Sequence, residues 1–85
     1  MLDGFSRALL AVSDVAEYGA QKYTDHGWFQ VANGQRRYKA AGDRHRLQRS
    51  SHPIDQDSGR LHLAHEAWNR LAELELLLLE SEDEE

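Results

Sequence analysis

Apolar residues recur every three or four positions in the last third of the chain, and this spacing limits the possible folds more than any other feature. Such spacing places apolar side chains along one face of a helix. Asp57 or Ser58 is the expected N-cap of that helix, because their side chains can accept its free amide hydrogens. The stripe consists of Leu61, Ala64, Trp68, Leu71 and Leu74 or Leu78, with Leu63, Ala67 and Leu77 beside it.

Two further helices are predicted, and strand-like alternation is scarce. The spacing of Phe5, Ala8, Leu9, Val12, Val15, Ala16 and Gly19 predicts a helix from Asp3 to Lys22, with Asp3 as its N-cap. A loop over residues 23–28 follows, and a second helix is expected from Asn33 or Gly34 to Gln48. Residues 50–59 have the composition of a loop. The sequence therefore predicts an all-α fold, a small bundle of three main helices.

The length of the chain limits its stability. With 85 residues and no cysteine, it has room for one small domain and no disulfide to support it. We expect a single helical domain over residues 1–80 and an acidic disordered tail over residues 81–85. The run from Leu74 to Leu79 is apolar on more than one side, which favours completion of the bundle by homo-oligomerisation, for example as a homodimer.

The charges are unevenly distributed. The formal net charge is −5, yet six of the ten basic residues lie between Arg36 and Arg49. This stretch could meet phosphates, or it could pair with the protein's own carboxylates. The acidic balance makes nucleic acid an unlikely partner. Residues 1–12 contain Asp3 and do not resemble a signal peptide, and no apolar run is long enough for a membrane, so we expect a cytoplasmic protein.

Acidic residues on the first helix are candidates for metal binding. Asp14 and Glu17 are three positions apart, a spacing that lets two carboxylates on one side of a helix share a divalent cation. Two solvent-exposed acids would have the same spacing. This pattern alone favours the second interpretation.

Polar residues also share one side of the third helix. His62, His65 and Asn69 are spaced by three and four positions, and Glu66 lies beside them. Metal sites in helix bundles use histidine and carboxylate groups at such spacing. A histidine on a helix is more often a polar residue with its hydrogen bonds satisfied, although two histidines and an asparagine together weaken that explanation.

Basic and aromatic residues elsewhere could contact a nucleotide. Arg44 offers a planar fork for phosphate oxygens, and its neighbour His45 could bind metal, donate to phosphate or pack inside. Lys22 and Trp28 bracket the first loop, where an ammonium group and an aromatic ring could hold phosphate and base. Trp28 could equally fill the core of a domain with few large residues.

Several familiar catalytic motifs are absent from the sequence. It contains no glycine-rich phosphate loop, no Gly-x-Ser-x-Gly turn and no cysteine nucleophile. An enzyme built from these residues would therefore use metal-assisted attack by water.

The order of short motifs resembles a phage-associated family, the dATP/dGTP diphosphohydrolases, which are MazG-like all-α nucleotide pyrophosphohydrolases. The resemblance covers about residues 5 to 80. It rests on the run from Glu17 to Tyr23, on Trp28, on Arg44-His45, on Asp55-x-Asp57-Ser58-Gly59, and on the run from His62 to Asn69.

The resemblance implies hydrolysis of a deoxynucleoside triphosphate to the monophosphate and pyrophosphate, with magnesium or manganese. It implies metal binding by Glu17 and Asp14 on the first helix. On the third helix, His65 and Asn69 stand where acids are expected, with Glu66 nearby. Lys22 and Arg44 would contact phosphates, Trp28 would stack on the base, and Asn69 would also touch the substrate. Glu17, His45 and His65 are the expected catalytic residues around a shared cavity.

Two functional hypotheses follow. The first is a metal-dependent pyrophosphohydrolase of dATP or dGTP that acts as a homo-oligomer in the host cytoplasm. The second is a small non-catalytic phage protein that binds and inhibits a host defence protein through its charged surfaces.

Overall fold

Three α-helices account for most of the chain. The computed structural model describes residues 2–22 and 27–83, with the backbone alone at residues 21, 22 and 83. The helices are α1 (Ser6–Lys22), α2 (Gly34–Gln48) and α3 (His62–Asp83). Short 3-10 turns at Asp3–Phe5 and Gly27–Gln30 precede α1 and α2. The predicted all-α bundle of three main helices is confirmed.

Helix α1 begins differently from the sequence-based prediction. Residues 3–22 are helical as expected, but the first three form a 3-10 turn. The prediction that Asp3 is the N-cap is wrong. Leu2 precedes the turn with helical dihedral angles (φ −57°, ψ −49°), and its carbonyl accepts a hydrogen bond from the Phe5 amide at 3.2 Å. Asp3 therefore lies inside the helical path and not in front of it.

Helix α2 has the predicted bounds. Asn33 precedes it in the left-handed conformation (φ 57°, ψ 40°), which asparagine tolerates better than most residues. At the other end, the Arg49 amide donates to the His45 carbonyl at 3.0 Å. His45 and Arg46 lie in the last turn, where positive charge would interact favourably with the helix dipole.

The segment between α2 and α3 folds back on itself. Ile54 and Leu61 form an isolated antiparallel bridge, and the Asp55 amide donates to the Arg60 carbonyl at 2.8 Å. Gly59 has a φ of +71°, a left-handed conformation that glycine adopts without strain. The Asp57 amide donates to Oδ1 of Asp55 at 2.9 Å, a side-chain contact that stabilises the turn.

This folded loop explains why the predicted N-cap of α3 is wrong. The helix begins at His62, and the amides of Ala64 and His65 donate to the Leu61 carbonyl at 3.1 and 3.2 Å. Leu61 directly precedes His62, and neither Asp57 nor Ser58 accepts a hydrogen bond from an amide of that first turn among the hydrogen bonds of the described residues. The Asp57 amide donates to Asp55 within the loop, and the Ser58 hydroxyl contacts the ring of His65.

Helices α2 and α3 pack together through both polar and small residues. The guanidinium of Arg70 donates to Oδ1 of Asp43 at 2.6 Å and to Oε1 of Glu73 at 3.2 Å. It lies so close to Gly42 that a Cβ at that position would be 3.0 Å from it. The hydrogen bond from Arg70 lowers the pKa of the Asp43 carboxyl.

The face that α3 buries is polar in its first half. Among the described residues, the buried apolar side chains are Val15, Ala64 and Ala72, and the buried polar ones are His62, His65 and Asn69. Of the stripe predicted from the sequence, Ala64 is buried and Trp68 is half-buried, whereas Leu61, Leu71, Leu74 and Leu78 remain half exposed, so its leucines are not turned inward. Burial of the polar face is tolerated because no buried side-chain nitrogen or oxygen in the described residues lacks a hydrogen-bond partner.

The C-terminal end of α3 is longer than expected. The helix continues through Ser81 to Asp83, three residues into the segment predicted as a disordered tail. The Ser81 hydroxyl donates to the Leu77 carbonyl at 3.1 Å, one turn earlier. Residues 84 and 85 lie outside the described part, and the domain boundary at residue 80 stays a prediction.

None of the helices in residues 2–22 and 27–83 has the combination of length and apolar character required for a membrane span.

Replacement of Val15 by alanine should destabilise the fold. Val15 is 4% exposed, and removal of buried methyl groups costs roughly 1–3 kcal/mol in the free energy of unfolding. Leu10 on the same helix is 72% exposed, so Leu10→Ala is the matched control and should change that free energy by less than about 0.5 kcal/mol. Urea denaturation followed by circular dichroism measures both, and equal effects would contradict the assigned core.

Candidate functional site

Three histidines from two helices meet at the interface of α2 and α3. His62 and His65 are three positions apart on α3 and share a face, and His45 approaches them from the last turn of α2. The rings of His45 and His65 are stacked, with centroids 4.5 Å apart and planes at 8°. Nδ1 of His45 lies 2.9 Å from Nδ1 of His62, so one of these nitrogens donates and the other accepts.

The loop before α3 adds oxygen atoms to this histidine cluster. The Ser58 hydroxyl lies 2.7 Å from Nε2 of His65, and Oδ2 of Asp55 lies 3.5 Å from the same nitrogen. One potential ligand atom from each of His45, Asp55 and His65 lies within 4.8 Å of the other two. The loop therefore completes a group of two imidazoles and one carboxylate.

The protonation of the group suits ligation. Burial, followed by the neighbouring His65, lowers the pKa of His45 from 6.5 to about 4, although Asp55 acts in the opposite direction. Burial alone would raise the pKa of the Asp55 carboxyl, but the Asp57 amide and the imidazoles outweigh it and lower that pKa. At neutral pH, His45 is therefore uncharged and Asp55 is ionised, which are the forms that bind metal ions.

Arg60 holds the loop against α1. Its Nε donates to Oδ2 of Asp14 at 2.9 Å, and its Nη1 donates to the Ser58 carbonyl at 2.7 Å. The guanidinium carbon also lies 4.8 Å from the centre of the Tyr18 ring, in cation–π geometry. Tyr18 in turn meets His65 edge to face, with ring centroids 6.1 Å apart. Helix α1 thus supports the site through the loop and through an aromatic contact.

The residues present can accommodate a divalent metal ion. Neutral imidazole nitrogens and an ionised carboxylate oxygen form a mixed donor set that suits transition metals, whereas magnesium prefers oxygen ligands alone. Ser58 on Nε2 of His65 and His62 on Nδ1 of His45 are hydrogen-bond partners of the kind that orient metal-binding histidines. The mixed donor set thus fits a divalent transition metal better than it fits magnesium.

Of the residues predicted on α3, His65 lies in the group with His45, whereas Asn69 and Glu66 are not among its members. Asn69 is buried, and its amide nitrogen donates to the His65 carbonyl at 2.8 Å. Oε1 of Glu66 accepts from Nε of Arg49 at 3.0 Å. Glu66 is not part of the group of possible metal ligands found among the described residues.

The residues predicted on α1 lie away from the histidine cluster. Asp14 pairs with Arg60, as described above. Glu17 is exposed on α1, and it does not belong to the group that contains His45 and His65. The cavity shared by Glu17, His45 and His65 stays a prediction, and the group of possible ligands takes its carboxylate from Asp55. The side chain of Lys22 lies outside the described part of the structure.

Two of the four predicted nucleotide contacts, Arg44 and Trp28, occupy different surroundings. Arg44 is exposed on α2, and its positive charge contributes to the lowered pKa of His45. Trp28 is half-buried in an aromatic cluster, stacked on Phe29 at 4.0 Å and edge to face with Trp68 at 6.0 Å. Its carbonyl accepts a hydrogen bond from the Tyr38 hydroxyl at 2.8 Å.

Three contributors to the site were not predicted as site residues from the sequence, namely Asp55, Ser58 and Arg60, although Asp55 and Ser58 belong to a motif that carries the family resemblance. The sequence offered one signal for them, namely a carboxylate and a hydroxyl in a loop shortly before a helix whose histidines are three positions apart. That signal does not fix which of Asp55 and Asp57 faces the histidines. The choice depends on the turn, in which Asp57 donates its amide to Asp55.

Comparison with known proteins identifies a family. The sequence model of the family described as "dATP/dGTP diphosphohydrolase, N-terminal" matches residues 1–85 of this chain. No curated protein and no solved structure matches it.

Stability should fall as the solution is acidified through the range where free histidine titrates. The pKa of His45 is about 4 in the fold against 6.5 in the unfolded chain. The unfolded chain therefore binds the proton more tightly, and the stabilisation present above pH 6.5 is lost progressively as the pH falls towards 4. Urea denaturation at a series of pH values measures this slope.

The slope should be smaller in His45→Gln. His52 lies exposed in the loop after α2, so His52→Gln is the matched control and should keep the slope of the unmodified chain. An unmodified chain whose stability is constant between pH 7 and pH 5 would contradict a half-buried, neutral His45.

Proposed function

Because this chain belongs to the dATP/dGTP diphosphohydrolase N-terminal family, we propose that it hydrolyses a purine deoxynucleoside triphosphate, dATP or dGTP, to the monophosphate and pyrophosphate. The supporting observation is the group formed by His45, Asp55 and His65, whose potential ligand atoms lie within 4.8 Å of one another. We infer that the reaction takes place at this group and that the protein acts in the cytoplasm of a phage host cell.

His45, Asp55 and His65 would hold a divalent transition metal. Of the two ions that the family resemblance implies, manganese tolerates imidazole ligands better than magnesium does. When bound, such an ion polarises a phosphoryl oxygen and lowers the pKa of a coordinated water. The donor set supports this choice, because it mixes nitrogen and oxygen atoms. Magnesium, which the family resemblance also allows, would be bound more weakly by the two imidazoles.

The neighbouring side chains orient the ligands. Ser58 fixes one nitrogen of His65, and Asn69 bonds the backbone carbonyl of the same residue. His62 engages Nδ1 of His45, so the remaining nitrogen of that ring is the one directed to a ligand or a proton. Such supporting partners restrict ring rotation and tune basicity. They also determine which of the two nitrogens in each imidazole ring carries the proton.

Basic residues next to the group would bind the triphosphate. Arg44 is exposed immediately before His45, and its charge acts on that ring. A planar guanidinium pairs well with phosphate oxygens. By the family resemblance, Lys22 would also contact the phosphates, and Trp28 would stack on the base. Tyr38 is seven residues before His45, which places the aromatic cluster about 10 Å from the histidines along the helix axis.

Replacement of Asp55 by asparagine should abolish manganese-dependent release of pyrophosphate from dATP and dGTP. Loss of the only carboxylate in the group should lower the rate by about 100-fold or more. Asp57 is exposed in the same loop, so Asp57→Asn is the matched control and should retain the rate of the unmodified chain. A coupled pyrophosphate assay measures both, and equal rates in the two variants would argue against Asp55 as a ligand.

Replacement of Glu17 by alanine tests the contribution of α1 separately. If Glu17 contacts the metal or its water from the rim of the site, the rate should fall by about 10-fold with folding unchanged. Glu75 is an exposed acid on α3, and Glu75→Ala should leave the rate unaltered. Full activity in Glu17→Ala would show that Glu17 on α1 takes no part in catalysis. The site would then consist of the histidine cluster alone.

The non-catalytic alternative makes a different prediction. A protein that only binds a host partner should release no pyrophosphate with any deoxynucleotide, with either manganese or magnesium. The same protein should still fold with the stability of an ordinary small helical domain. This result would leave the family membership unchanged and withdraw the hydrolase activity.

A further inference from the structure

Arg60 lies in the loop just before α3, and its side chain contacts both that loop and α1. The guanidinium binds the Asp14 carboxylate at two points, from Nε to Oδ2 at 2.9 Å and from Nη2 to Oδ1 at 3.4 Å. It also donates to the Ser58 carbonyl at 2.7 Å and lies 4.8 Å from the centre of the Tyr18 ring. One planar side chain therefore joins two residues of α1 to the loop.

The backbone of Arg60 contacts the two loop residues that approach the histidines. Its carbonyl accepts from the Asp55 amide at 2.8 Å, and its amide donates to the Ser58 hydroxyl oxygen at 3.2 Å. Asp55 supplies the carboxylate of the possible metal group, and the Ser58 hydroxyl lies 2.7 Å from Nε2 of His65. Arg60 cannot itself be a ligand, because its guanidinium stays protonated and accepts no bond.

The members of the metal group differ in how firmly the fold holds them. His45 and His65 project from α2 and α3, whose backbones are fixed by helical hydrogen bonds. Asp55 projects from an irregular loop, so its position depends on the contacts of that loop. Metal sites keep their ligand distances to within about 0.2 Å. The anchoring of the loop therefore decides whether Asp55 can complete the group.

We propose that Arg60 is a positioning residue for the metal group and that Asp14 acts on the metal through Arg60. The pair with Asp14 fixes the plane of the guanidinium, and the Arg60 backbone then holds Asp55. This assignment gives the acid of α1 an indirect role, in place of the direct metal binding that the family resemblance implies. It rests on the metal group of the proposed function, and it holds whether or not the chain hydrolyses a nucleotide.

The ion pair is better suited to orientation than to stability. The side chain of Asp14 is 53% exposed and that of Arg60 is 27% exposed. Ion pairs this open to water contribute little to the free energy of unfolding. Lysine keeps the positive charge but has no planar fork, so it cannot hold Asp14 at two points and the Ser58 carbonyl at the same time. Arg60→Lys therefore separates the positioning of the loop from the stability of the fold.

The affinity of the full chain for Mn²⁺, measured without nucleotide, tests the role of Arg60. The electron paramagnetic resonance signal of the free ion gives the dissociation constant. Arg60→Lys should raise this constant roughly 10- to 100-fold, as is usual when a supporting partner of a metal ligand is lost. The urea midpoint should stay that of the unmodified chain.

Arg70 provides the matched control. Its guanidinium also binds a carboxylate on another helix, that of Asp43, and a backbone carbonyl, that of Lys39. It joins α2 to α3, whereas Arg60 joins the loop to α1. Arg70→Lys should therefore leave the dissociation constant for Mn²⁺ unchanged. An equal loss of affinity in Arg60→Lys and Arg70→Lys would overturn a specific role for Arg60.

A double-variant cycle tests the path from Asp14 to the metal. Asp14→Asn should weaken Mn²⁺ binding about as much as Arg60→Lys, because each substitution breaks the same pair. The chain with both substitutions should bind no more weakly than the weaker of the two single variants. Effects that multiply in the double variant would show that Asp14 reaches the metal independently, and would overturn its indirect role.

Coordinated water distinguishes a displaced Asp55 from a general loosening of the fold. With Mn²⁺ at saturation in deuterium oxide, pulsed electron paramagnetic resonance should show additional coordinated water in Arg60→Lys, because water takes the place of the carboxylate. The nitrogen coupling from His45 and His65 should remain. An unchanged water signal would overturn the positioning role.

Two outcomes separate this proposal from the proposed function. Unchanged Mn²⁺ affinity in Arg60→Lys, in a chain that releases pyrophosphate from dATP or dGTP, would overturn the proposal and leave the hydrolase activity intact. Weakened Mn²⁺ binding in Arg60→Lys, in a chain that releases no pyrophosphate, would support the proposal and withdraw that activity. An unmodified chain that binds no Mn²⁺ would overturn the metal group and, with it, the role of Arg60.

Discussion

The parallel contact between the imidazoles of His45 and His65 is the interaction on which the rest of the structure depends. It joins α2 to α3, and the 2.9 Å contact between His45 and His62 adds a second link across the same interface. Since few apolar side chains are buried in the described residues, polar contacts decide which side of α3 faces inward. Stacked imidazoles at this distance are stable only while at least one is uncharged, so the fold and the protonation of the site are coupled.

The helices could be predicted from the sequence, whereas the buried face of α3 could not. Apolar spacing reproduced the bounds of α2 and the span of α1, because periodicity and turn residues are local properties. The same spacing located a leucine stripe but did not say that Leu71 and Leu74 would stay half exposed. Which face of α3 is buried depends on contacts with residues outside the helix. For His65 these are the hydrogen bond with Ser58 and the ring stack with His45.

The residues of the candidate site could likewise be predicted from the sequence only in part. His45 and His65 were selected from the sequence and lie together, although their catalytic roles are still proposals. Asp55 was not selected, because a carboxylate in an irregular loop has no periodic signature. Its position is set by the hydrogen bond from its amide to the Arg60 carbonyl and by the hydrogen bond that its carboxylate accepts from the Asp57 amide. Glu17 was selected on helical spacing alone, and spacing on one helix carries no information about how that helix packs.

Whether the histidine cluster binds a metal ion is most directly measured by pulsed electron paramagnetic resonance of the purified chain loaded with manganese. Nitrogen hyperfine coupling from imidazole ligands should appear, and it should weaken in His65→Ala, whereas His52→Gln should leave it unchanged. A spectrum that shows only oxygen ligands and water, identical in all three proteins, would contradict a metal centre at His45, Asp55 and His65.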